Sequence, residues 1–181
     1  MADSKGKKKG RRAYLNDIQP NLAGEYVYTG AYYVYAGKDM SFAKARSRVL
    51  FLSMLSMLAL IAAGFVRAGG MGNCYYVLIP YMAEAISVFV TAWAAARLLL
   101  NGEKLREYIY GAIIPRIPKA AVCSAAFAAV GCVCIIVFVI FNGIDGPAGE
   151  MVLLAIAKAV AIAAPLLLRK HVLSLEWKRE K

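Results

Sequence analysis

The sequence predicts an all-α membrane protein, a four-transmembrane-helix antiparallel bundle with a short cytoplasmic N-terminal β-hairpin. Three observations carry that expectation. Of the 181 residues 61% are hydrophobic, yet the formal net charge is +11, so apolar content and basic charge have to be segregated along the chain. They are: Lys and Arg fall in three clusters, and long uncharged runs rich in Ala, Leu, Val and Ile separate the clusters. A water-soluble fold of this length cannot bury nearly every side of several helices, which makes lipid the better solvent. Finally, four runs at 49–66, 77–100, 120–141 and 151–168 match or approach the roughly 20 helical residues that cross a hydrocarbon core of about 30 Å.

Taken from the N-terminus, residues 1–23 read as a disordered polybasic cytoplasmic tail, being polar, glycine-containing and rich in Lys and Arg. A polar and aromatic stretch follows instead of an apolar core, which predicts no cleavable signal peptide. Beside a bilayer, a basic arm of this kind gains about 1 kcal/mol per Lys or Arg from anionic lipid. Its plainer role is to set topology.

Residues 24–37, "GEYVYTGAYYVYAG", read as a tyrosine-rich β-hairpin. Gly30 and Ala31 suit the two central positions of a type II′ turn, with glycine first. In that register Val27 faces Val34 and Tyr26 faces Tyr35, so Tyr26, Tyr28, Tyr33 and Tyr35 share one aromatic face. An isolated hairpin is marginal in water and needs a platform. Two are on offer: the lipid headgroup region and the loop residues Tyr108, Ile109 and Tyr110.

Residues 38–168 form the predicted four-span membrane domain. It opens with "SFAKARSRV", a helical lead into the first span with Ser41 as N-cap. Two ionisable residues fall well inside the spans: Glu84 in the second and Lys158 in the fourth. Both spans run inward from outside, and each of these residues lies seven positions past the start of its run. Both groups therefore sit at one depth, roughly 10 Å below the outer edge of the hydrocarbon. A charge costs about 2.5–3.5 kcal/mol on insertion scales, less away from the bilayer centre, and a partner of opposite sign offsets it, which predicts a Glu84–Lys158 intramembrane ion pair. Ser87 and Thr91 continue a polar stripe from Glu84 along the second helix, facing protein. Ser53, Ser56 and Gly64 in the first span, and Ser124, Ala128 and Gly131 in the third, permit close helix approach. Cys132 and Cys134 point about 200° apart on a continuous helix, so they neither chelate an ion nor form a disulfide.

Residues 169–181 make a basic cytoplasmic tail, "RKHVLSLEWKREK" being read as an amphipathic continuation of the fourth helix that carries His171 and Trp177 to the inner surface. Lys and Arg crowd residues 1–48, the loop between the second and third spans, and this tail. On the other side Arg67 is the one base and the loop "NGIDGPAGE" is acidic. Both termini are therefore expected to be cytoplasmic in a bacterial cell membrane.

No nucleophile and base pair, metal-ligand set or phosphate loop is visible, so no catalytic residue, metal or cofactor is assigned. The expected role is a non-enzymatic interaction or assembly subunit. Its partners are the lipid bilayer, anionic lipid at the basic N-terminus, and a membrane protein or second copy of the chain, with no nucleic acid. A rival expectation is a small transporter or channel subunit with a polar site around Glu84 and Lys158.

Overall fold

A computed structural model describes residues 18–20, 25–37, 40–66, 68–143 and 147–180. The predicted tail, 1–23, thus lies outside the described residues apart from the short strand β1 (Ile18–Pro20). Strands β2 (Tyr26–Tyr28) and β3 (Tyr32–Tyr35) follow, then helix α1 (Phe42–Phe65), a 3-10 turn (Ala68–Asn73) and α2 (Tyr75–Leu100). Strand β4 (Lys104–Arg106), α3 (Glu107–Ile113), α4 (Arg116–Asn142), α5 (Ala148–Leu173) and β5 (Trp177–Glu180) complete the chain. Helices α1, α2, α4 and α5 are the four long and apolar enough to cross a membrane. They contain the four predicted runs, save Val66, and extend beyond them: α1 begins at Phe42, with the Ser41 side chain accepting from Lys44 N as an N-cap.

The helices put small side chains inward and large ones outward. Buried positions recur every three or four residues: Ser53, Ser56 and Ala59 on α1, Ala121, Ser124, Ala128 and Gly131 on α4, Ala157, Ala161 and Ala164 on α5. Phe51, Leu58, Ile86, Trp93, Ile140 and Ile156 are exposed. Such a distribution brings backbones close together and leaves the bulky apolar groups to the surroundings. Helix α1 packs on α2 and α5, and α4 packs on the same two, so α2 and α5 oppose each other across the middle.

The predicted β-hairpin is not formed. Strand β2 pairs antiparallel with β1, placing Tyr26 opposite Pro20 and Tyr28 opposite Ile18. Strand β3 instead lies in the centre of a three-stranded antiparallel sheet, β4-β3-β5. Tyr33 pairs with Leu105 on one side and Arg179 on the other, and Tyr35 pairs with Trp177. With both edges of β3 occupied, β2 has no free edge there to join. The fourth helix does continue past its predicted span, through residues 169–173, but the expectation that it carries on to Trp177 is corrected: α5 ends at Leu173, and Trp177–Glu180 is an extended strand hydrogen-bonded to β3.

This sheet and α3 cover one end of the bundle. Leu105, Ile113 and Ile117 are essentially fully buried and form one cluster with Val49, Leu98 and Leu168 from three of the long helices. Tyr33 stacks on Tyr110 with ring centroids 3.9 Å apart and planes 4° from parallel. Trp177 makes edge contacts with Tyr35, Phe42 and Tyr110.

Candidate functional site

Glu84 lies nine residues into α2 and Lys158 ten residues into α5, so similar helical rise brings them level. Because α2 and α5 are the opposed helices, the long side chains reach toward each other across the centre. Lys158 Nζ is 2.6 Å from Glu84 Oε2. Glu84 is 0% exposed and Lys158 4%. At this separation and burial the contact is a charge-assisted hydrogen bond, and each charge relieves the desolvation of the other.

Small residues make room for it. A Cβ on Gly131 of α4 would stand 3.4 Å from Lys158 Nζ, so any larger side chain there presses on the ammonium. Tyr81, one helical turn before Glu84, places its ring 5.5 Å from Lys158 Nζ. Its hydroxyl donates to Leu60 O of α1 at 3.2 Å, over the bare Cα of Gly64. Gly64 and Gly131 were read from the sequence as sites of close helix approach; Tyr81 was missed, although its spacing of three residues from Glu84 puts it on the same helical face.

The polar stripe divides. Thr91 is buried and Ser87 half-buried, and both hydroxyls bond back to their own helix: Ser87 Oγ donates to Ala83 O at 3.0 Å, Thr91 Oγ1 to Ser87 O at 2.9 Å. They satisfy themselves locally and do not touch the ion pair's free oxygen. That oxygen, Glu84 Oε1, is buried with no hydrogen-bond partner among the described residues. Beside the pair, a cavity of about 140 Å³ reaches from the 3-10 turn at Met71 and Gly72 down to Tyr81, Gly131 and Lys158.

The tyrosine face expected from the hairpin is dispersed. Tyr33 and Tyr35 face the bundle end and pack with Tyr110, Trp177 and Phe42. Tyr28 is buried against Tyr32 and Tyr108, its hydroxyl 3.3 Å from Ala31 O and Arg106 5.4 Å from its ring centroid. Tyr26 is 79% exposed. The four rings form one face only if β2 and β3 pair with each other, which they do not.

His171 Nε2 lies 3.1 Å from Ala45 O, tying α5 to the start of α1. Cys74, Cys123, Cys132 and Cys134 are free thiols. Among the described residues no three His, Cys, Asp or Glu side chains come together as metal ligands. Among the described residues the polar constellation in the helical interior is Glu84, Lys158 and Tyr81, with the Cys132 thiol of α4 close by. No protein-family model, curated protein or solved structure matches the chain.

Proposed function

We propose that this chain is a multi-pass protein of a bacterial cytoplasmic membrane, an antiparallel four-helix bundle with both termini cytoplasmic, acting as a non-enzymatic interaction or assembly subunit. Membrane insertion is supported by the outward Phe, Ile, Leu and Trp side chains over an interior of Ala, Ser and Gly, the reverse of what water favours. The orientation rests on Lys and Arg crowding the end that carries the sheet.

One observation carries the interaction reading: the sheet packs on the bundle by its inner face while its outer face bears Lys104, Arg106 and Lys178 against the single carboxylate of Glu180 on the paired positions. On the outer face Lys104 and Lys178 flank Val34 in register, and both lysines are exposed. The two lysines stand about two strand spacings apart, roughly 10 Å, with their charges in water, and the bundle does not need them for its own packing. An acidic cytoplasmic surface on a membrane partner complements this face. Affinity purification of the full chain in mild detergent tests the reading. A partner should co-purify with wild type and be lost from Lys104→Glu/Lys178→Glu; recovery of wild type alone would count against it. Reporter fusions at the two ends test the orientation, and a periplasmic signal from either end would reject it.

A second reading, a small transporter or channel subunit, is favoured by the cavity that reaches Lys158. A cysteine at position 87 or 91, in a background without the native thiols, reports on it. Modification by an aqueous thiol reagent supports a water-lined path along α2, and complete protection argues against one.

A further inference from the structure

We propose that the cavity beneath the 3-10 turn binds a short-chain monocarboxylic acid in split form, with the acid's proton on Glu84 and its carboxylate on Lys158. The claim concerns binding alone; it asks nothing of the basic sheet and holds in detergent as in a bilayer.

Size and lining define the ligand's body. The cavity holds about 140 Å³, and an apolar cavity of about 150 Å³ admits a molecule as large as benzene. Its wall is largely apolar and includes Ala63, Val66, Met71, Ile135 and Leu154. An aliphatic stub of a few carbons fits that wall, whereas a sugar or a nucleotide would leave many polar groups unpaired.

Lys158 defines the head group. An ammonium has three donors. One goes to Glu84 Oε2, and the other two have no protein acceptor among the described residues. Lys158 lines the cavity, and Gly131 leaves its Nζ uncovered on that flank. A buried ammonium with spare donors at the end of an apolar pocket fits a carboxylate oxygen.

Glu84 decides the charge. The ion pair has no net charge, so an anion entering alone would leave an uncompensated negative charge in a low-dielectric interior. An acid that arrives with its proton avoids this. The O–H bond of the acid breaks and an O–H bond forms on Glu84; the carboxylate then replaces Glu84 as acceptor for Lys158. One proton moves, no electrons are transferred, and the site stays neutral throughout. Glu84 suits the role because its Oε1 is buried with no hydrogen-bond partner among the described residues, which leaves an oxygen open to take the proton. The other titratable groups near the pair are Tyr81 on α2 and Cys132 on α4. The facing part of α1 and the 3-10 turn contribute none.

Calorimetric titration of the full chain with butyrate, in two buffers of different ionisation enthalpy, tests the proposal. Wild type should take up one proton per butyrate bound, and its affinity should fall about tenfold for each unit of rising pH. Lys158→Met should not bind, and 1-butanol should not bind wild type. Absence of saturable butyrate binding to folded wild type overturns the proposal. So does binding without proton uptake, or a Lys158→Met protein that binds as wild type does. Where Lys158→Met does not fold, the proton count on wild type still decides.

Discussion

The centre of the bundle and the sheet at its end hold their parts together by opposite means. At the centre, two charges meet in a setting of alanine and glycine, and each is tolerable only because the other is 2.6 Å away. At the sheet, four stretches of chain meet through rings and aliphatic groups: Tyr33, Leu105, Tyr110 and Trp177. The central contact is one bond that is costly to break. The sheet rests on many contacts, each of modest size. Damage should therefore be all-or-none in the first region and graded in the second.

The largest effect is expected from Lys158→Met, which leaves Glu84 buried and unpaired and should cost about 3–5 kcal/mol in unfolding titrations in detergent. Adding Glu84→Leu should recover most of that loss, because an apolar pair of similar volume needs no partner. The charge exchange Glu84→Lys with Lys158→Glu should restore membrane accumulation that either reversal alone lowers; absence of rescue would reject direct pairing.

Next comes Leu105→Ala. Its side chain is 0% exposed under the sheet, and emptying that space should cost about 2–4 kcal/mol. The comparison is sharpened by hydrogen exchange: amides of β3 and β5 should lose protection while those at the centre of α2 and α5 keep theirs. Equal loss in both regions would show that sheet and bundle unfold as one unit.

A double-mutant cycle on Tyr33 and Tyr110 should give a coupling of about 0.5–1.5 kcal/mol for the stacked rings. The smallest effect belongs to Arg179→Ala. Its 3.3 Å bridge to Glu107 is between side chains 54% and 34% exposed, and screening by water and salt should hold the loss below about 0.5 kcal/mol. A larger loss there would mean that β5 depends on charge more than on Trp177.

Legibility in the sequence follows the same division. The level of Glu84 and Lys158 can be counted along two helices, since rise per residue is constant, and the small residues around them are visible as types. Tyr81 needed only a further step of three. The use of Ser87 and Thr91 was harder to read: a hydroxyl on a helix can turn to a neighbour or to its own preceding turn, and here both choose the latter. The tyrosine segment misled because its turn chemistry is sound in isolation. Nothing local to Gly30 and Ala31 reveals that β3 is claimed on both edges by strands from about 70 and 140 residues away. "SLEWKRE" misled for a related reason: Leu175 and Trp177, two residues apart, share a face in an extended strand, but that strand forms only where β3 offers an edge to pair with.

The sequence by itself determined where the four long apolar helices run, and that a carboxylate and an ammonium stand at matching positions on two of them. A helix satisfies its backbone within its own segment, so composition and length are enough to specify it. Tertiary structure alone decided which strands pair, which tyrosines share a face, and that α2 and α5 stand opposite one another. A strand's backbone groups must find partners elsewhere in the chain, and that choice depends on what the packed helices bring within reach.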